Sequence, residues 1–254
     1  MNFNIDTLIK YCNCEVVKLD AGCQSDIIVL PNNNLITIDV SIKLYDREFN
    51  FIREIKKING KIFLSRVATI NQVDRCLYIL DFKNHKILMV DFDFKLVKSI
   101  DVIGKGVESA RGICFKNNKL FVSDYENKSI KIYTNDLIFS KSFGLGYRPF
   151  NIKASNKMLC VESRAHSVGN GIYFYHIEDL SFYGKYDFGY FFLHEINSQF
   201  YLSQENKIHC FDEEGKLNRV INLDGALGEI YVLVKLTNSS LIARINERTV
   251  IYSK

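Results

Sequence analysis

Short apolar runs separated by polar turns fill the chain, and the segment LYILDFKNHKILMVDFDFKLVKSI, Leu77 to Ile100, sets the pattern. An apolar run is followed by Asp81, two variable residues, Asn84-His85 and a second apolar run. The same pattern returns in LFVSDYENKSIKIYTNDLIFSKSFG, with Asp124 for Asp81, Asn127 for Asn84 and Ile130-x-Ile132-Tyr133 for Ile87-x-Met89-Val90. Fainter copies centre on Asp39, Glu162, Ser203 and Arg244. The anchors at 39, 81, 124, 162, 203 and 244 are separated by 42, 43, 38, 41 and 41 residues, and a nearly fixed period marks a repeat architecture.

Each period holds four β-like runs, for example Gly112 to Phe115, Lys119 to Ser123, Ile130 to Tyr133 and Ile138 to Phe143. One four-stranded sheet cannot bury both of its faces, whereas several arranged radially bury each face against a neighbour. The expectation is an all-β fold, a six-bladed β-propeller of four-stranded blades. The last period stops after its third run, and the unassigned run Cys14 to Leu19 precedes the first, so the N-terminal strand is expected to complete the last blade. A glycine follows the fourth run of each period (Gly22, Gly60, Gly104, Gly144, Gly189, Gly225), where the chain is expected to turn sharply towards the centre. Two prolines and no Ser/Gly/Pro-rich or charge-rich stretch leave no linker, so residues 1–254 are read as a single domain.

Charge changes this picture little. Thirty-three Lys and Arg against 29 Asp and Glu give +4, a mild bias towards anionic partners and far from a nucleic-acid-binding stripe. Asp6 and Lys10 interrupt the start where a signal peptide needs an apolar core, and no apolar run approaches membrane-spanning length. A cytoplasmic protein without membrane contact is expected. Of seven cysteines, Cys76, Cys114, Cys160 and Cys210 fall in apolar runs and read as reduced core thiols; Cys12-x-Cys14 with Cys23 lacks a fourth ligand at zinc spacing, so no metal and no cofactor is expected.

LYILDFKNHKILMVD and LFVSDYENKSIKIYT resemble the NHL repeat, in which an apolar strand leads into Asp, two variable residues, Asn-His-Arg/Lys and Ile. The resemblance runs over nearly the whole chain, strongest at Asp81 and Asp124, and reduced to apolar pattern and spacing at Glu162 and Arg244. The absence of Trp removes the signature residues of the Trp-Asp, Tyr-Trp-Thr-Asp and aspartate-box repeats.

The short Asp81 and Asp124 side chains are placed to close turns by accepting backbone N–H bonds. His85 belongs to the same turn, and its counterpart is Lys128, which cannot share its acid–base chemistry; it reads as structural. Ligand chemistry is expected instead where the inner strands begin, at the channel mouth. Three consecutive periods place Arg there (Arg66, Arg111, Arg148), and the other three place Asp26, the pair Tyr190-Phe191, and Glu229. The long polar loop from Glu162 to Gly171 adds Arg164 and His166, and His194 lies near enough to approach. The candidate ligand-binding set is Arg66, Arg111, Arg148, Arg164, His166, Tyr190 and His194. Guanidinium groups from adjacent blades suit a carboxylate or phosphate, and the competing reading is that each pairs with a rim carboxylate.

Three functions follow. The preferred one is a non-catalytic scaffold that recognises a protein, a peptide or a small anionic ligand on the channel face, a use the NHL resemblance also implies. The second is a propeller enzyme of lyase or lactonase type acting at the same mouth; no catalytic residue is assigned, and a three-His zinc site is not supported. The third, single-stranded RNA binding, ranks last because basic residues are diluted and Tyr147-Arg148 with Tyr125 is the best stacking set on offer.

Overall fold

The computed structural model describes residues 13–17, 26–65, 67–102, 110–164, 170–189, 191–204, 207–222, 230–235, 241–245 and 248–253. Their regular structure is entirely β. Five four-stranded antiparallel blades follow in chain order. The first is Asp26–Val29, Leu35–Ile38, Ile42–Tyr45 and Phe51–Ile55; the second is Ala68–Asn71, Cys76–Asp81, Lys86–Asp91 and Leu96–Asp101. The third is Ala110–Lys116, Lys119–Asp124, Ser129–Thr134 and Phe139–Gly144; the fourth is Pro149–Ala154, Met158–Ser163, Gly171–His176 and Phe182–Asp187. The fifth is Phe192–Ile196, Gln199–Gln204, Lys207–Phe211 and Leu217–Asn222. A further four-stranded sheet combines Ile230–Lys235, Leu241–Ile245 and Arg248–Ser253 with the N-terminal strand Asn13–Val17, which pairs from Asn13↔Ser253 to Val17↔Thr249. The molecule is an all-β propeller with four-stranded blades.

Why these runs are strands and why they stack is visible in Cys76–Asp81, whose six residues are all buried. Successive side chains point to opposite faces. Leu77 and Ile79 join the core shared with the first blade (Ile36, Ile38, Leu44), while Cys76, Tyr78 and Leu80 join the one shared with the third (Ile113, Leu120, Val122). The next strand on repeats the division, with Leu120 and Val122 on one side and Phe121 on the other. Second strands are mostly apolar because both faces are covered, and each buried aliphatic or aromatic side chain contributes roughly 1.5–3 kcal/mol. Outer strands such as Phe139–Gly144 have a single partner strand and are mostly exposed.

Turn chemistry follows the period. Asp81 Oδ1 accepts the N–H groups of Lys83 (3.1 Å), Asn84 (3.2 Å) and, from the preceding connection, Leu64 (3.2 Å), and Asn84 Nδ2 closes back on Oδ2 at 2.6 Å. Asp124 and Asn127 make the same pair at 2.8 Å. His85 and its counterpart Lys128 both take a left-handed backbone conformation, φ 59° and 48°, which makes the position a turn corner. The third-to-outer turns use Asp46, Asp91 and Asp212 alike: each Oδ1 accepts the N–H groups two and four residues on.

The structure revises the reading of the glycines. Gly60 does adopt a positive φ, 75°, but in an additional two-stranded hairpin (Lys57–Ile58 with Lys61–Ile62) between the first two blades. Gly144 ends its outer strand with open space where a Cβ would stand, and its φ is not left-handed, so nothing local requires glycine there. Gly22, Gly104 and Gly225 lie outside the described residues. The four cysteines read as core residues are buried, and among the described residues no helix is long and apolar enough to cross a membrane.

Candidate functional site

The inner strands touch in sequence around a central axis, Asp26–Val29 on Ala68–Asn71, then Ala110–Lys116, Pro149–Ala154, Phe192–Ile196, Ile230–Lys235 and back to Asp26–Val29. They enclose a cavity of about 970 Å³ lined by residues of all six strands. Hydroxyl and carboxylate bridges hold neighbouring inner strands in register. Ser123 Oγ accepts from Gly112 N (2.7 Å) and donates to Phe150 O (2.7 Å), Asp26 Oδ2 accepts from Ala68 N (3.1 Å), and Thr69 Oγ1 accepts from Phe115 N (3.1 Å). Asp26, expected as an acidic rim residue, thus spends one oxygen on an inter-blade bond.

At the end where the inner strands begin, cations and aromatic rings alternate. Arg111 and Arg148 both stand over the Tyr125 ring, at 5.7 and 5.1 Å from its centroid. Arg164 lies 4.3 Å from the Phe150 centroid and 5.5 Å from that of Phe192. Facing the negative ring quadrupole, each guanidinium gains roughly 0.5–2 kcal/mol and loses side-chain freedom. Arg111 and Arg164 also line the cavity, together with Phe150 and Phe192; Arg148 does not.

Two of these arginines have carboxylate partners. Arg148 meets Glu126 at 3.3 Å on the exposed rim. Arg164 bonds fully buried Glu162 and donates to Phe191 O at 3.1 Å. Burial pushes the Glu162 carboxyl up, and the adjacent Arg164 charge, with Lys153 behind it, opposes that shift. Of the expected arginines among the described residues, Arg111 and Arg164 face the cavity and Arg148 does not, and Arg111 is in no ion pair there.

His194 lines the cavity wall but is only 6% exposed, and its Nε2 lies 3.0 Å from Ser203 Oγ. Ser203 uses its single proton on Ile230 O at 2.6 Å, so Nε2–H of His194 is the donor of the pair. Burial, helped by repulsion from Lys153, lowers its pKa to about 3 and keeps the ring neutral. Ser203 is the fifth blade's bridge to the next inner strand, and His194 supports it from within the blade. Arg66, His166 and Tyr190 lie outside the described residues. Phe191, grouped with Tyr190 as rim, is buried in the core shared by the fourth and fifth blades. Tyr147, read as a stacking candidate, is also buried, stacked on Tyr173 at 3.7 Å and bonded to the Tyr175 hydroxyl at 3.0 Å. Phe150 and Phe192 complete the mouth although no motif marks them, and Glu162, read as the anchor of the fourth repeat, adds the carboxylate that holds Arg164. Glu162 and Arg164 stand two residues apart on one strand and its extension, hence on one face, which is the signal for their pairing.

Among the described residues no three His, Cys, Asp or Glu side chains form a metal-binding group. No protein-family model matches the chain, and no curated protein matches it. Solved structures do. Hydrazine synthase of Kuenenia stuttgartiensis superposes with a TM-score of 0.67 at 15% identity, over 92% of this chain and 78% of that one. U3-55K gives 0.63 at 12% identity, over 92% and 78%, and the WD40 repeats of RRP9 give 0.63 at 13% identity, over 92% and 77%. At such identities the likeness speaks for the propeller fold alone.

Proposed function

We propose that this protein is a non-catalytic binding scaffold, a single six-bladed propeller of NHL kind over residues 1–254, whose mouth at the start of the inner strands takes a peptide or protein segment. Six four-stranded sheets and the ring of inner-strand contacts support the closed six-blade reading. The NHL assignment rests on the Asp81–Asn84 and Asp124–Asn127 turns.

The observation that carries the function is the alternation Arg111, Tyr125, Arg148 and Phe150, Arg164, Phe192 across the mouth. Pre-ordered rings offer apolar contact, and Arg111, which has no carboxylate partner among the described residues, offers bidentate hydrogen bonding, which suits a partner bearing aromatic side chains and a carboxylate. Catalysis draws no comparable support, because the titratable groups beside this mouth, Glu162 and His194, are committed to Arg164 and Ser203. Nucleic acid is less favoured because Arg148 and Arg164 are already neutralised by Glu126 and Glu162, leaving few charges for phosphate.

The test is selection from a random peptide library on the parent protein, followed by affinity measurements on Arg111→Ala and Tyr125→Ala, both at solvent-accessible positions. Selected peptides should carry acidic and aromatic residues and weaken at least about tenfold on either variant, a change of 1.4 kcal/mol or more. Absence of enriched peptides, or binding by both variants as tight as by the parent, refutes the reading. Tighter binding of single-stranded RNA with a steep loss on adding salt would replace it.

A further inference from the structure

The mouth face has an apolar sector beside its arginines. The residue after each repeat anchor stands where the second strand turns into the third, at the end where the inner strands begin, since Asp26 pairs with Ile38 and Ala110 with Asp124. In the first three blades that residue is Val40, Phe82 and Tyr125, whereas in the fourth and fifth it is Ser163 and Gln204. The connection between the first two blades adds two aliphatic side chains. Phe63 is buried in the core those blades share, and its neighbours Ile62 and Leu64 turn out to solvent, 51% and 36% exposed beside 60% for Val40.

Hydrogen bonds make these residues one surface. Ser65 N donates to Asp39 O at 3.1 Å, which ties the connection to the turn that carries Val40. Phe82 N donates to Leu64 O at 2.8 Å, and Asn84 Nδ2 donates to Ile62 O at 2.9 Å, which ties it to the turn of the second blade. Leu64 N is spent on Asp81 Oδ1, so the platform offers side chains rather than a strand edge. Exposed apolar residues scattered singly are ordinary, but contiguous ones mark an interaction surface. Leu64 and Phe82 also line the cavity that Arg111 and Phe150 line, so the platform runs into the mouth. An extended chain can follow that descent, and a flat membrane cannot.

We propose that this platform is the second half of the peptide site: a peptide whose acidic residue reaches Arg111 lays aliphatic side chains on Val40, Ile62 and Leu64. The inference rests on the peptide reading of the mouth and adds what the peptide must carry, an aliphatic anchor beside its acid. Arg111, in no ion pair among the described residues, orients the carboxylate. The platform presents methyl groups and no hydrogen-bonding group, so a polar side chain seated there would lose water without gaining a partner.

The test takes peptides selected on the parent protein and measures them by calorimetry against Val40→Ser with Ile62→Ser, both at positions more than half exposed. The selected sequences should share an aliphatic residue beside their acid, and the double variant should weaken them at least about fivefold. Replacing that aliphatic residue by Ser should weaken binding to the parent similarly and cost nothing further on the double variant, as for groups that touch. Val73→Ser, 86% exposed in the first turn of the second blade at the other end of the channel, should bind as the parent does. Should the double variant fail to fold, methyl NMR of the parent gives the same answer, since the Val40, Ile62 and Leu64 signals should move on titration with a selected peptide. Peptides that weaken on Arg111→Ala yet bind the double variant as tightly as the parent, or leave those methyl signals unmoved, overturn the platform and leave the mouth reading standing. Absence of enriched peptides overturns both. Binding of the parent, but not of the double variant, to vesicles of phosphatidylcholine and phosphatidylserine, with no peptide enriched, would make the surface a membrane contact instead.

Discussion

Gly112 is the position at which the channel's geometry can be tested most directly. It lies just after a β-bulge in the inner strand of the third blade, between Ala110 and Gly112. A Cβ added there would stand 2.9 Å from both Ile152 N and Phe150 O and 3.0 Å from Asn151 Cα. All three are backbone atoms of the neighbouring inner strand, so no side-chain rotation relieves the contact; the third and fourth blades must separate. Phe150 O is also the acceptor of Ser123 Oγ at 2.7 Å, and Ser123 holds Gly112 N at 2.7 Å. Gly112→Ala therefore combines an overpacking cost of roughly 1–3 kcal/mol with loosening of a buried bridge worth roughly 1–2 kcal/mol, about 2–5 kcal/mol together.

For a chain of this length each kcal/mol lowers the melting temperature by about 2–4 °C, so the variant should melt about 4–20 °C below the parent in a calorimetric scan. The matched control is Gly144→Ala, at a strand end with nothing within 4 Å of the added Cβ, expected to change stability by no more than about 0.5 kcal/mol. If Gly112→Ala melts with the parent, or both glycine variants fall equally, the close approach of the two inner strands is refuted.

Two further outcomes follow from the same interior. His194 has a folded pKa of about 3 against an ordinary 6.5, so its contribution is complete above pH 6.5 and is lost as pH falls from there towards 3, about 2 kcal/mol by pH 5; His209, also pushed down by burial, acts with the same sign, so the check is whether His194→Gln loses less stability than the parent between urea titrations at pH 7 and pH 5. Deleting residues 1–20 removes the five-residue ladder on Arg248–Ser253 and leaves that strand as an open edge; a lower melting temperature with concentration-dependent aggregation in light scattering is expected, and a shortened chain that melts with the parent and stays monomeric contradicts the pairing.

Much of the fold is legible in the sequence because its repeat is written in side chains that act locally. Asp81 and Asp124 close turns through bonds to their own neighbours, and Leu77 and Tyr78 diverge to opposite cores because strand periodicity alone assigns faces. The glycine reading fails for a related reason. A strand that leaves its blade in an extended conformation needs no left-handed corner, and most left-handed corners among the described residues are not glycine: Asn33, Arg75, Asn117-Asn118 and Asn197-Ser198 hold first turns, and Phe94, Leu137 and Leu180 hold third turns. Those last three are buried, so the apolar contact offsets an unfavourable φ of roughly 1–2 kcal/mol.

The site is less legible because partner choice depends on distance across blades, which periodicity does not encode. Arginine at the start of an inner strand lines the cavity at Arg111, yet the same signal at Arg148 leads to Glu126, one residue beyond the Tyr125 they share. The starts of the inner strands also draw attention away from their ends. Lys116 stands directly before the Asn117-Asn118 turn and Glu195 one residue before the Asn197-Ser198 turn, and a two-residue hairpin fixes which end of the strand they occupy. Once the blade order is known, four charged strand ends in succession, Lys116, Lys153, Glu195 and Lys235, fall on one wall of the channel, a placement that the overall +4 of the chain does not encode, because net charge carries no information on which blade is the neighbour of which.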